Sequence, residues 1–252
     1  PRPGLSVAFS SNGMKAVAGA EDGKVRIWTL NTQASVEFDA HKEPVNSVAF
    51  SRDGSRLLTA SSDGTARLWR ISDQVLLATY NVRETIWAAA FSPDEQYVLT
   101  GSTGSVAILW PIGGGDRVRT YSGHGNNVSS LAFSPDGSMI LTGSMDGTAA
   151  LWRTHQDHPT AFFTGHAGAV RSVAFSPNAK KMITGSLDGS ARIWTVDPFM
   201  FQPPEEQQRL ACGRLAELDV KQFTDEDRTR FPILSIEPPR PCEAEWAPSV
   251  AA

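Results

Sequence analysis

The sequence predicts an all-β fold built from one unit that occurs five times within residues 1–202. The unit at residues 128–154 reads strand, turn, strand, turn, strand, with the turn sequences Ser-Pro-Asp-Gly and Ser-Met-Asp-Gly between the strands. A tryptophan closes every unit and a phenylalanine ends every first strand, both at intervals of 41 to 42 residues. These residues are Trp28, Trp69, Trp110, Trp152 and Trp194, and Phe9, Phe50, Phe91, Phe133 and Phe175. A period of about 40–45 residues with four short strands per unit is typical of the blade of a β-propeller.

Each predicted blade has an inner strand with small residues, two strands rich in β-branched and aliphatic residues, and a less regular outer strand. The blades are predicted at about 4–30, 41–71, 82–112, 123–154 and 165–196. The outer strands are predicted at 34–38, 75–80, 117–121 and 161–163. No good outer strand follows Trp194, since Pro198, Pro203 and Pro204 interrupt the next stretch.

The chain resembles the WD-repeat β-propeller family over about residues 4–196. Gly123-His124 and Gly165-His166 before the inner strand, the Ser-x-Asp-Gly turn and the closing tryptophan carry the resemblance. The aspartate that gives the repeat its name is absent: Thr29, Arg70, Pro111, Arg153 and Thr195 follow the tryptophans. The resemblance implies an all-β WD-repeat β-propeller segment of five four-stranded blades, part of a larger propeller, with a short α-helical C-terminal appendix.

The residue pattern of the repeats ends after the fifth unit, and a different pattern follows. Pro203-Pro204 followed by two glutamates, and later Thr224 as an N-cap, predict a helical appendix at 203–234. Residues 235–252, rich in Pro, Glu and Ala, are predicted to be extended or disordered. The stretch 211–214, Ala-Cys-Gly-Arg, and the later Pro241-Cys242 resemble the segment that closes WD-repeat arrays in bacterial multidomain signalling proteins. In such proteins an effector or catalytic domain precedes the array.

The chain begins at Pro1 without a methionine, and no outer strand precedes Leu5. We therefore expect this to be a fragment, the C-terminal part of a larger protein whose propeller has more blades. A closed ring of five blades is the alternative.

Composition narrows the classes of partner. A net charge of −4 provides no basic surface for a phosphate backbone, so nucleic acid is not expected. The two cysteines, Cys212 and Cys242, are too few for a disulfide framework and fit a reducing compartment. No apolar run is long enough to cross a membrane, and a cytoplasmic protein without membrane contact or cofactor is expected.

The family resemblance implies a buried hydrogen-bond network of Trp, Ser or Thr, His and Asp in each blade. Three repeats hold all four residue types: Trp69, Ser61, His41 and Asp63; Trp152, Ser144, His124 and Asp146; and Trp194, Ser186, His166 and Asp188. The first repeat has Ala20 at the serine position. The third has no histidine before Ile86 and has Gly104 at the aspartate position, so we expect it to be the least rigid.

The Ser-His-Asp trios are not expected to be catalytic. They recur in three repeats, and no loop suited to bind an oxyanion accompanies them. The cluster His155, Asp157 and His158 has no fourth ligand nearby in sequence, so we interpret it as solvated loop residues and expect no metal site.

One set of positions varies between repeats while the core positions repeat. These positions enter the inner strand or precede the Ser-x-Asp-Gly aspartate, and they are expected at one rim of the propeller. They include Trp87, Arg171, Asn46, Met145, Leu187 and Ser62, which we predict to contact a protein or peptide partner.

The leading hypothesis is a non-catalytic protein-protein interaction scaffold or sensor module, in the C-terminal part of a larger bacterial signalling protein. One alternative is an enzyme or small-ligand-binding propeller that uses the central channel, although the inner strands offer little chemistry there. The other is a purely structural assembly module whose exposed blade edges pair between chains.

Overall fold

The computed structural model describes residues 4–197, which form nineteen strands in five antiparallel sheets and no helix. Each sheet follows chain order, so every strand pairs with the next strand in sequence. The predicted all-β fold class is confirmed, and the five sheets are called blades 1 to 5 in chain order. The predicted appendix at 203–234, the tail at 235–252 and both cysteines lie outside the described residues.

The strands are five to seven residues long, apart from one of four. Blade 1 contains β1 (Gly4–Phe9), β2 (Lys15–Ala20), β3 (Lys24–Thr29) and β4 (Ala34–Asp39). Blade 2 contains β5 (Val45–Phe50), β6 (Arg56–Ser61), β7 (Thr65–Arg70) and β8 (Val75–Asn81). Blade 3 contains β9 (Ile86–Phe91), β10 (Tyr97–Ser102), β11 (Val106–Pro111) and β12 (Arg119–Ser122). Blade 4 contains β13 (Val128–Phe133), β14 (Met139–Ser144), β15 (Ala149–Arg153) and β16 (Pro159–Phe163). Blade 5 contains β17 (Val170–Phe175), β18 (Lys181–Ser186) and β19 (Ala191–Thr195).

The outer strands lie close to their predicted places. Each observed outer strand overlaps its prediction at 34–38, 75–80, 117–121 or 161–163 and differs from it by at most two residues at either end. Within the described residues, blade 5 has three strands rather than the four predicted for every blade. The sequence pattern already lacked a strand after Trp194, because prolines cannot donate to a strand ladder.

The turn between the first two strands of each blade is held by a serine and an aspartate or asparagine. In blade 4 the buried Ser134 hydroxyl donates to Asp136 at 2.6 Å and accepts the Met139 N–H at 2.9 Å. Gly137 then takes a φ of +72°, which closes the turn without the clash a Cβ would cause. The short polar side chains therefore satisfy the turn's backbone locally, as their positions in the repeat predict.

The core lies between blades rather than inside any one of them. At the junction of blades 1 and 2, Val17, Val25 and Ile27 pack against Val45 and the residues that surround it on blade 2. The junctions of blades 2 and 3 and of blades 3 and 4 repeat this arrangement with equivalent residues. Blades 2, 3 and 4 therefore bury both faces, because each lies between two neighbouring sheets.

Outer strands also tie neighbouring blades together. The Tyr80 hydroxyl of β8 donates to the Ile112 carbonyl of the next repeat at 2.6 Å, and Tyr121 of β12 donates to Thr154 at 2.7 Å. Burial raises the pKa of Tyr80 to about 12, so the phenol stays protonated and remains a donor.

Candidate functional site

A chain of hydrogen bonds crosses blade 2 from a tryptophan to an aspartate. The Trp69 indole N–H donates to the Thr59 hydroxyl at 3.0 Å, and the same oxygen lies 2.7 Å from His41 Nε2. His41 Nδ1 lies 3.0 Å from the Asp63 carboxylate. Thr59 and His41 are buried, so the two contacts of the Thr59 hydroxyl are shielded from water, while Asp63 at the end of the chain of hydrogen bonds is partly exposed.

The hydroxyl in this network belongs to Thr59. The sequence analysis assigned it to Ser61, and that prediction is wrong. Trp69 lies opposite Leu57 in the strand ladder, and a long side chain reaches the diagonal neighbour two residues further along, which is Thr59. Ser61 instead donates to the Glu43 carbonyl at 3.0 Å and accepts the Asp63 N–H at 3.0 Å. The serine therefore shapes the turn that places the aspartate.

Blades 4 and 5 repeat the arrangement, and the same correction applies to Ser144 and Ser186. In blade 4 the Thr142 hydroxyl lies 2.9 Å from the Trp152 indole nitrogen and 2.7 Å from His124 Nε2. His124 Nδ1 is 3.2 Å from Asp146. In blade 5 the corresponding distances are 3.0 Å for Trp194 to Thr184, 2.8 Å for Thr184 to His166, and 2.9 Å for His166 to Asp188.

The protonation states follow from the partners. Burial lowers the pKa of His41 and of His124, so both rings are neutral at pH 7. A carboxylate can only accept, so Nδ1 carries the proton, and Nε2 accepts from the threonine hydroxyl. Burial opposes ionisation of Asp63, but hydrogen bonds from Thr65 and His41 outweigh it and lower the pKa of that carboxyl. The threonine hydroxyl that joins tryptophan and histidine is completely buried in blades 2, 4 and 5.

We expect acidification to destabilise the blades through these networks. A histidine whose folded pKa is lowered contributes stability that is complete above its unfolded pKa of about 6.5 and is lost as the pH falls through the folded value. The aspartates have lowered pKa values too and remove further stability below about pH 3.8. Urea unfolding should therefore give a lower free energy of unfolding at pH 5 than at pH 7. An equal or higher value at pH 5 would contradict this protonation scheme.

Blade 3 keeps only half of the network. The Trp110 indole still donates to Thr100 at 3.0 Å, but Val82 occupies the histidine position and Gly104 the aspartate position. The Glu84 carboxylate fills the space beside Gly104, and the Ser102 hydroxyl lies 3.4 Å from it. A side chain from the preceding loop thus replaces the missing aspartate at the blade 3 turn.

Blade 1 lacks the network at its centre. Ala18 stands at the position of Thr59, so Trp28 has no threonine hydroxyl to donate to, and this indole is only half-buried. Ala20 stands at the position of Ser61, the serine that shapes the turn in blade 2. This difference therefore does not change the partner of the tryptophan.

Two of the six predicted partner-binding residues, Asn46 and Ser62, form a hydrogen bond with each other. The Asn46 side chain donates to the Ser62 hydroxyl at 3.0 Å and to the Ile86 carbonyl at 2.9 Å. Asn46 thereby links blade 2 to the inner strand of blade 3. Both residues are half-buried, and their polar groups already have partners within the protein.

Trp87 and Arg171 come from blades 3 and 5 and meet each other. The Arg171 guanidinium carbon lies 5.8 Å from the centre of the Trp87 ring, within the range of a cation–π contact. Arg171 is exposed and, among the described residues, has no ion pair. The Trp87 indole nitrogen is buried and has no acceptor in the same part of the chain. The structure therefore brings together two residues that lie far apart in sequence.

Met145 and Leu187 occupy equivalent turns of blades 4 and 5. Leu187 is 71% exposed, whereas Met145 is half-buried and its sulfur lies 3.6 Å from the Asn127 amide nitrogen. Leu187 is thus the apolar member of the predicted set most open to a partner.

The ends of other inner strands form an open cavity of about 380 Å³. Phe50, Phe91 and Pro135 line it together with Glu95, which pairs with Arg56 at 2.5 Å. Among residues 4–197, no group of three or more His, Cys, Asp or Glu side chains could hold a metal ion. The same range contains no helix long and apolar enough to span a membrane.

The family model described as "WD domain, G-beta repeat" matches the chain five times, at residues 5–29, 32–70, 74–110, 115–153 and 157–195. No curated protein matches the chain. WD repeats mediate protein–protein interactions in general, which indicates a scaffold kind of role for these sheets. Five matched repeats and five antiparallel sheets at the same places in the chain lead to one conclusion: the chain belongs to the WD-repeat family.

Proposed function

We propose that the chain is a non-catalytic protein-interaction scaffold or sensor module that binds a protein or peptide at the rim formed by Trp87, Arg171, Met145 and Leu187. The observation that carries the proposal is the contact between Arg171 and Trp87. It joins blades 3 and 5 through two residue types that dominate binding energy in protein interfaces.

The chemistry of this rim favours a peptide-like partner. Arg171 presents an exposed cation beside an aromatic ring, and Leu187 adds an exposed apolar side chain on the same blade. A mixture of one cation, aromatic rings and aliphatic side chains suits side chains of a protein better than a phosphate backbone. The net charge of −4 supports the same choice.

The arrangement of the polar groups supports a non-catalytic role. A hydrolase would need a reachable nucleophile, whereas Thr59, Thr142 and Thr184 are completely buried and engaged by tryptophan and histidine. Burial lowers the pKa of His41 and His124 and keeps them neutral at pH 7, and all three histidines of the network are engaged at both nitrogens. These residues therefore suit stabilisation of blades 2, 4 and 5.

We also propose a biological setting for the chain, a bacterial signalling protein in the cytoplasm. The resemblance of residues 211–214 and 241–242 to the end of bacterial multidomain signalling proteins supports a place in a larger bacterial signalling protein. The cysteine content supports a reducing, cytoplasmic compartment.

Alanine substitution of Trp87 or Arg171 should weaken peptide binding about tenfold or more while leaving the array folded. Because the natural partner is unidentified, the probe is a set of peptides selected against the whole chain from a random displayed library. Affinities of the selected peptides are then measured for the wild type, Trp87→Ala and Arg171→Ala. Arg70→Ala is the matched control, since Arg70 is exposed and pairs with nearby Asp73. Equal affinities for all four proteins would refute the rim assignment.

A further inference from the structure

The inner strand of every blade begins with a β-bulge. The register of the strand ladder shifts at this point in all five blades, so one residue of each inner strand has no residue opposite it. A bulge turns the side chain of this extra residue out of the regular alternation of the strand, and bulges are common beside binding sites. The five bulge residues are Leu5, Asn46, Trp87, Ser129 and Arg171.

In blades 2 and 4 the bulge residue links its blade to the next one. The Asn46 amide donates to the Ile86 carbonyl of blade 3 at 2.9 Å. In the same way the Ser129 hydroxyl donates to the Val170 carbonyl of blade 5. These two polar side chains therefore have acceptors within the protein.

Trp87 holds the bulge position of blade 3 and makes no such link. Its blade lies in the middle of the array, with a packed junction on each side. The indole nitrogen is shielded from water, yet it finds no acceptor among residues 4–197. A buried donor without an acceptor costs free energy. Blade 3 thus keeps an unsatisfied N–H at the position where blades 2 and 4 form an internal hydrogen bond.

Arg171 brings further donors to the same ring. Its guanidinium carbon lies 5.8 Å from the centre of the Trp87 ring, so the cation reaches back across blade 4 towards blade 3. The side chain is exposed. A carboxylate suits both residues, because a guanidinium offers two parallel N–H groups to its two oxygens and lone pairs remain to accept from an indole.

We infer that the Trp87 indole N–H and the Arg171 guanidinium together bind a carboxylate of the partner, the side chain of an aspartate or glutamate in a peptide. The inference rests on the rim proposed above and specifies the chemistry of its partner. Trp87 is only half-buried, so a change of its side-chain torsion angles presents the N–H to the peptide. The bound carboxylate supplies the acceptor that the indole lacks and neutralises the cation beside it.

Peptide binding to the whole chain tests the inference. The probes are peptides selected against the wild type from a random displayed library and synthesised with an amidated C-terminus, so that only side chains carry carboxylates. Each acidic residue of a peptide is replaced in turn by its amide, Asp by Asn or Glu by Gln. One of these replacements should weaken binding to the wild type about tenfold or more, as expected for the loss of a hydrogen bond to a charged group.

Two variants show whether the carboxylate binds at these two residues. Arg171→Gln removes the cation, so the same peptide replacement should weaken binding to this variant by about threefold or less. Trp87→Phe keeps an aromatic ring under the guanidinium but removes the indole N–H, and the loss should lie between those two values. Arg70→Gln is the matched control, because it removes another exposed arginine and should keep the full loss of the wild type.

The outcomes separate this inference from the proposed function. Selected peptides without an acidic residue, an amide replacement that costs nothing, or the same loss in the wild type and all three variants would each overturn the inference. A peptide that needs Trp87 and Arg171 but no carboxylate would refute the inference and leave the rim as a binding site. A peptide that binds Trp87→Ala and Arg171→Ala as tightly as the wild type would refute both.

Discussion

Replacing Trp152 by alanine lowers the free energy of unfolding by about 3–5 kcal/mol, the range for removing a buried aromatic side chain. The side chain is completely buried, and its indole donates to Thr142 at 2.9 Å. The ring also lies 5.6 Å from Tyr121 and 6.5 Å from Phe162, so its loss leaves a cavity at the junction of blades 3 and 4. It also leaves the Thr142 hydroxyl without one of its partners.

The matched control is Trp28→Ala in blade 1. Trp28 occupies the same place in its repeat but is half-buried and faces Ala18 instead of a threonine, so its loss should cost clearly less. Urea unfolding followed by circular dichroism gives both values, since tryptophan fluorescence would itself change with the substitution. Equal losses for the two variants would mean that the position in the repeat, and not burial, determines the effect.

Gly143→Ala should destabilise the chain by about 1–3 kcal/mol, although it adds a single methyl group. The new Cβ would lie 2.8 Å from methyl groups of Val170 and Val173, and β-branched side chains have few alternative rotamers with which to move away. Blades 4 and 5 must then separate slightly along their whole junction.

Gly185→Ala is the same change at the equivalent place in blade 5 and should have the opposite sign. Among residues 4–197, no atom lies within 3.4 Å of its Cβ position, and alanine in a strand is favoured over glycine by about 0.5–1 kcal/mol. Urea unfolding followed by circular dichroism gives the free energy of unfolding of both variants. A loss of stability in Gly185→Ala as large as in Gly143→Ala would show that the cost arises within the sheet and not between blades.

The sequence pattern predicts the elements of this fold because they are local. The strands alternate around short turns whose Ser, Asp and Gly residues specify their own backbone geometry, as at 134–137. The regular spacing of Trp28, Trp69 and their equivalents then shows that the units are copies of one structure. Strand existence, order and approximate bounds follow from these two facts alone.

The hydroxyl that accepts the hydrogen bond of each tryptophan could not be predicted from this pattern. Thr59 and Ser61 both recur in the later repeats, both carry a hydroxyl, and both lie on the same face of β6, so recurrence does not distinguish them. The strand register decides, because it places Trp69 opposite Leu57 and therefore diagonal to Thr59. With that register, the correct assignment follows from the reach of an indole ring.

The contact between Trp87 and Arg171 also could not be predicted from the sequence. Trp87 and Arg171 belong to different repeats with a whole blade between them, and only the packing of three blades brings the guanidinium over the ring. Similarly, nothing in the residue types distinguishes Ile193 from Leu151. Their exposure differs because only one of them has a neighbouring sheet among the described residues.

Division of the core among separate junctions has an evolutionary consequence. Blade 3 lacks the histidine and the aspartate of the network, yet the junctions on both sides of it are packed like the junction of blades 1 and 2. The hydrogen-bond network of one repeat can therefore change without a change in the packing of the junctions beside it. Duplicated repeats of this kind are free to diverge one at a time, and the rim can acquire new surface residues while the buried positions stay as they were.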